Sequence, residues 1–90
     1  MSERRSRLEI INDILKSIQN KGGTIKPTHL LYKSNLSHDR MKSYVEELKK
    51  KGLMCEETKK DKKMFCITDK GFDFLANYNK IREFEDAFGI

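Results

Sequence analysis

The stretch NLSHDRMKSYVEELKKKGLM, residues 35–54, puts two demands on one helix. Met41, Tyr44, Val45 and Leu48 recur at offsets i, i+3, i+4 and i+7, the spacing that gathers apolar side chains on a single helical face for burial. His38, Arg40, Lys42 and Ser43 lie off that stripe, directly after Ser37, whose hydroxyl suits the N-cap because it accepts from a free backbone N–H. We therefore read a helix from Ser37 to Lys51. Gly52 is its C′ stop, and the last-turn lysines Lys49, Lys50 and Lys51 complement the negative end of its dipole. Its core-facing stripe fixes its orientation, and its polar front is turned toward something outside the core.

Working outward, Leu8, Ile11, Ile14, Leu15 and Ile18 predict an earlier helix over about Arg7 to Asn20, stopped by Gly22-Gly23. Pro27 biases Lys26 away from helix and sits comfortably in a first helical turn. Residues 24–26 are thus a short extended piece, and a second helix runs from Pro27 to about Lys33, burying Leu30 and Leu31. The SNLS connection is short, and Leu36 is expected to plug the corner before the third helix.

After Gly52 the period changes. LMCEET and MFCIT read as strands joined by KKDKK, a hairpin with a basic tip from Lys59 to Lys63. Thr68 then caps a last helix, TDKGFDFLANYNKIREFEDAFGI, in which Gly71 is tolerated early. The expected fold class is mainly α with a small β-hairpin (α+β). Three helices, the second and third closely coupled, then a hairpin and a C-terminal helix, give the order of a winged helix-turn-helix. Residues 1–70 form that domain with a basic N-terminal arm, and 69–90 form the C-terminal helix.

The run LSHDRMKSYVEELKKKGLM followed by FCITDKGFDFL resembles a pattern of archaeal winged-helix regulators. In them a recognition helix ends in Gly-Leu, and the wing leads through aromatic-x-aliphatic-Thr-x-x-Gly into the last helix. With LEIINDIL near the start and NLS before the third helix, the chain is similar to the small archaeal chromatin-associated and predicted transcriptional regulator proteins that dimerise through a C-terminal coiled coil. The resemblance implies a homodimer on double-stranded DNA, engaged by the third helix and the wing. The final helix departs from that pattern in its shortness, with Asn79 and Glu85 interrupting its seams.

Charge agrees with such a partner. Lys and Arg number 19 against 14 Asp and Glu, a net +5. Residues 71–90 hold two basic and four acidic residues, a net −2, which leaves +7 on the other 70. A basic body and an acidic tail suggest a polyanion for the first and a different task for the second. Within the body, Ser37, His38, Arg40, Lys42 and Ser43 are the groove-facing candidates of the third helix: arginine and lysine donate to guanine edges, and serine and the helix start suit phosphate oxygens. Lys59, Lys60, Lys62 and Lys63 are the backbone-facing candidates of the wing. Arg4 and Arg5, with Arg7, form a basic arm that reads equally as a DNA contact or a solvated tail.

In the last helix, Phe72 and Leu75 are expected to close the core. Phe74, Tyr78, Ile81 and Phe88 form a second stripe, read as an antiparallel coiled-coil interface with a second copy. Cys55 and Cys66 are too few for a disulfide scaffold and are expected as reduced thiols. With His29 and His38 they fit no zinc spacing, so neither metal nor cofactor is expected. Nothing points to a small-molecule ligand. No nucleophile elbow or phosphate-binding glycine loop is present, and the chain reads as a non-enzyme. The apolar runs are too short to span a bilayer and the charged N-terminus is no signal peptide, so the expected location is cytoplasmic, associated with the nucleoid. The alternative reading is a winged-helix protein-interaction module with little DNA specificity. Sequence leaves open whether a DNA binder of this kind is a local regulator or a general chromatin protein.

Overall fold

The computed structural model describes residues 5–90. Helix α1 spans Arg7–Asn20 and opens with a reciprocal cap: Ser6 Oγ accepts from the Glu9 amide at 3.1 Å, and the Glu9 carboxylate accepts from the Ser6 amide at 3.4 Å. Its inward face buries Ile10, Ile11, Ile14, Leu15 and Ile18, the centre of the core. Strand β1 is Thr24–Ile25, and α2 is Pro27–Ser34. Asn35 then takes the left-handed conformation (φ 55°), which an asparagine tolerates better than most residues. That residue turns the chain sharply, and Leu36 is buried in the corner as expected.

Helix α3 is His38–Lys50, with Ser37 Oγ accepting from the Arg40 amide at 3.3 Å and Met41, Val45 and Leu48 buried. Strands β2 (Met54–Lys59) and β3 (Lys62–Ile67) form the wing, and α4 is Asp69–Phe88. The extended piece at Thr24–Ile25 does more than connect helices. It pairs antiparallel with β3, making a three-stranded sheet of order β1-β3-β2.

The wing is tighter than a five-residue turn. Only Lys60 and Asp61 form the tip, both with positive φ (50° and 63°), as a two-residue hairpin matched to strand twist requires. Lys59, Lys62 and Lys63 are therefore strand residues. In the resulting register Cys55 lies opposite Cys66, with Cα atoms 5.0 Å apart, and the two are joined by a disulfide. This corrects the expectation of reduced thiols: the two-residue tip makes them cross-strand partners, within the separation a disulfide needs.

Helix α4 is fastened to the end of α3. Gly52, with φ 76°, ends α3, and its carbonyl accepts from Thr68 Oγ1 at 2.6 Å. The same Thr68 oxygen accepts from the Gly71 amide at 3.1 Å, and Lys70 Nζ donates to the Lys51 carbonyl at 2.9 Å. Gly71 is required here and not merely tolerated. A Cβ on it would press into the Leu53 backbone carbonyl and lie 2.7 Å from Ile67 Cγ1. The Gly-Leu and Thr-x-x-Gly signatures are thus two halves of one joint.

Because Gly71 and Leu75 face inward, α4 turns Phe74 toward the core and leaves Phe72 on the flank, 40% exposed. Phe72 is therefore not the core residue expected from its spacing to Leu75. Among the described residues no helix is long and apolar enough to cross a membrane.

Candidate nucleic-acid interface

The start of α3 and the inner face of the wing border one groove. His38 and Lys42 line it from α3, Lys63 and Phe65 from β3, and Pro27 closes one end from the start of α2. The arrangement follows from alternation along the strands: Phe65 and Ile67 turn into the core, so Lys63, two residues before Phe65, extends from the same face beyond it. Lys63 Nζ sits 5.9 Å from the Phe65 ring centroid.

Each wing lysine has a distinct place. Lys59 and Lys62 face each other across the ladder, and Lys59 Nζ lies 3.4 Å from the Glu57 carboxylate. Like charges directly opposite are unfavourable without a counter-charge. Lys60 is at the tip. Lys63 Nζ approaches Glu56 Oε1 at 3.7 Å, while Lys49 Nζ of α3 donates to that same oxygen at 2.9 Å. The Lys49 hydrogen bond, outweighing partial desolvation, holds the Glu56 carboxyl below its usual range.

At the front of α3, His38 and Asp39 are highly exposed, with His38 Nδ1 3.9 Å from the Asp39 carboxylate. Arg40 and Ser43 lie on the other flank of the helix, beside Tyr44, Glu47 and Arg7. Arg7 pairs with Glu47 and lies over the Tyr44 ring, 5.8 Å from its centroid; Glu47 also takes Lys51 at 2.9 Å. The five predicted α3 residues are therefore not one cluster. His38 and Lys42 border the wing groove, Arg40 and Ser43 flank the α1 side, and Ser37 caps the helix.

Arg4 lies outside the described residues. Arg5 is anchored, donating to Asp13 at 2.7 Å and to the Ser34 carbonyl at the end of α2 at 2.9 Å. Its guanidinium holds α1 and α2 together, which differs from a loose arm. Sequence reading also passed over a group of cations around α2. Lys21, Lys26 and Lys33 surround His29, and partial desolvation followed by these three charges holds its imidazole below the usual histidine range. The residues were visible in sequence, but their convergence needed the turn from α1 into α2.

The predicted apolar stripe of α4 divides. Phe74 packs on its own core and stacks on Tyr78, ring centroids 6.0 Å apart. Ile81 and Phe88 are exposed, by 57% and 68%, and Phe84, missed in the sequence reading, joins them at 60% with its ring 4.8 Å from Phe88. Its spacing, three after Ile81 and four before Phe88, was the available signal. Among the described residues no group of acidic, histidine and cysteine side chains is placed to hold a metal ion.

A family model described as winged helix-turn-helix matches residues 4–86. Among solved structures, Sso10a-2, a DNA-binding protein from Sulfolobus solfataricus, superposes with a TM-score of 0.79 at 23% identity, covering 93% of this chain and 85% of its own. F93 from STIV, a winged-helix DNA-binding protein, gives 0.74 at 17% identity, covering 89% and 92%. SSV1 F-93 gives 0.71 at 20%, covering 98% and 99%. At these identities the likeness is one of fold. No curated protein matches the chain.

Proposed function

The chain belongs to the winged helix-turn-helix family, and on that footing we propose that it is a homodimeric double-stranded DNA-binding protein of the cytoplasm and nucleoid, a transcription regulator or chromatin-type protein. The start of α3 enters the major groove, and the lysine-rich wing follows the phosphate backbone. The observation that carries this reading is the shared groove. Cations from α3 and from the wing line one concave face, so a single duplex can meet both. The opposed Lys59 and Lys62 add to it, since a polyanion relieves their repulsion. The neighbours named as DNA-binding share the fold over most of their length and most of this chain.

The test is titration of random-sequence duplex against salt. Replacing Lys59, Lys60, Lys62 and Lys63 with alanine should weaken binding to every duplex alike and lower the salt slope by up to about 3 to 4 units, since each phosphate neutralised contributes about 0.9. An unchanged slope would remove the wing from the interface. Arg40→Ala should cost about 1 to 3 kcal/mol on a preferred site selected from a random pool, and less on random DNA. Equal losses would make Arg40 a phosphate contact, and no loss would mean that α3 uses another face.

The homodimer rests on Ile81, Phe84 and Phe88, large apolar groups on a tail helix that its own domain leaves exposed. The same stripe, flanked by Glu83, Glu85 and Asp86, favours a second reading, a protein-interaction module. A monomer in sedimentation, combined with weak and featureless duplex binding, would move the assignment there.

A further inference from the structure

We propose that Glu56 is a built-in competitor for the DNA backbone, holding Lys49 of α3 and Lys63 of β3 across the α3–wing groove until a phosphate displaces it. The inference rests on the DNA-binding reading above and adds to it the residue that sets how readily the groove accepts a DNA backbone.

The geometry has three parts. Glu56 stands on the inner face of β2, in register with the buried Phe65, so its carboxylate emerges on the groove side of the sheet. A single oxygen, Oε1, receives Lys49 Nζ at 2.9 Å and stands 3.7 Å from Lys63 Nζ. The two lysines come from different elements, the last turn of α3 and the wing, and all three residues line the same groove. One anion thus partly neutralises two of the cations that line the groove between helix and wing.

The physical consequence is a threshold. A phosphate entering the groove must replace one carboxylate oxygen as the hydrogen-bond acceptor of Lys49 and the counter-charge of Lys63. The side chains are partly exposed, so the knot adds little to stability and opens without unfolding anything. The displacement cost is the same for every duplex whose backbone enters the groove, so Glu56 lowers total affinity and the salt slope and leaves the ratio of specific to non-specific binding unchanged.

The experiment compares wild type, Glu56→Gln and Glu46→Gln on random duplex between 50 and 200 mM salt, with the preferred site alongside. Glu46 is an exposed α3 acid lining the same groove, and it controls for the loss of any negative charge. Glu56→Gln should steepen the salt slope by about 1 to 2 units, so that affinity falls about 4- to 16-fold more across that salt range than in wild type, and it should strengthen binding to random duplex and preferred site alike. Glu46→Gln should not reproduce the change in slope. Repeating Glu56→Gln in a Lys49→Ala, Lys63→Ala background should abolish its effect. A wild type that binds while Glu56→Gln keeps its slope overturns this proposal alone, as does an effect that survives without the two lysines or is matched by Glu46→Gln. A wild type that binds no duplex overturns the DNA-binding reading and this inference with it.

Discussion

The two halves of α4 share one helix and nearly one apolar periodicity, yet they have opposite surroundings. From Gly71 to Tyr78 the helix is built into its own domain: Gly71 and Leu75 are buried, and Phe74 and Tyr78 are half-buried and stacked. From Ile81 onward almost every residue is exposed, although Ile81, Phe84 and Phe88 are as apolar as those before them. Periodicity says only that a face wants cover. What covers it depends on where the rest of the chain lies: beyond Tyr78, α1 borders only the polar side of α4, at Asn79, Arg82 and Asp86, and leaves Ile81, Phe84 and Phe88 outside.

The contrast breaks most readily at Gly71. Gly71→Val sets a branched side chain against the Leu53 carbonyl and Ile67, where backbone cannot yield, and should destabilise the domain by about 3 kcal/mol or more. Urea unfolding measures this, and an unchanged midpoint would mean that the joint is loose. Leu75→Ala should come next, at about 2 to 5 kcal/mol, because it removes a buried side chain and leaves a cavity.

Ile81→Asp should change the stability of the isolated chain least, within about 0.5 kcal/mol, since the site is exposed within one copy. In a dimer the same change leaves a charge unpaired in an apolar interface, so the assembly should dissociate and the benefit of two linked DNA-binding heads should vanish. Sedimentation at micromolar concentration reads this directly. A monomeric wild type would end the dimer model, and a variant that stays dimeric would put the interface elsewhere.

Much of the fold was legible because its determinants are local. The α1 boundaries, the Ser37 and Thr68 caps, the Gly52 stop and the buried corner at Leu36 all depend on residues within a turn or two of one another. The missed features depend on register or on distant partners. Reading KKDKK as a five-residue turn shifts the hairpin by one position, enough to take Cys55 off Cys66 and to send every wing side chain to the other face. Arg5 looked like part of an arm because nothing nearby in sequence announces Asp13 and the Ser34 carbonyl as its partners. Gly71 looked neutral because the need for glycine arises chiefly from the Leu53 carbonyl, which lies just before β2, distant in sequence, and meets α4 only in three dimensions. The candidate site was legible as residue types and less so as geometry: the wing lysines stand out in the sequence, whereas Glu56 between Lys63 and Lys49, the latter read only as complementing the helix dipole, was not visible.

The joint at Gly52, Thr68 and Gly71 makes the tail a lever arm. Its close backbone packing leaves no hinge between the end of α3 and the start of α4. The arm from Gly71 to Phe88 is about 25 Å long at 1.5 Å per residue, so a tilt of about 10° at its root carries the far end about 4 Å. If two such arms cross, their angle sets the distance between the two reading heads and hence the number of base pairs between half-sites. A substitution near Phe84 that changes only the crossing would alter which spacing of sites the protein prefers while leaving every DNA-contacting residue untouched.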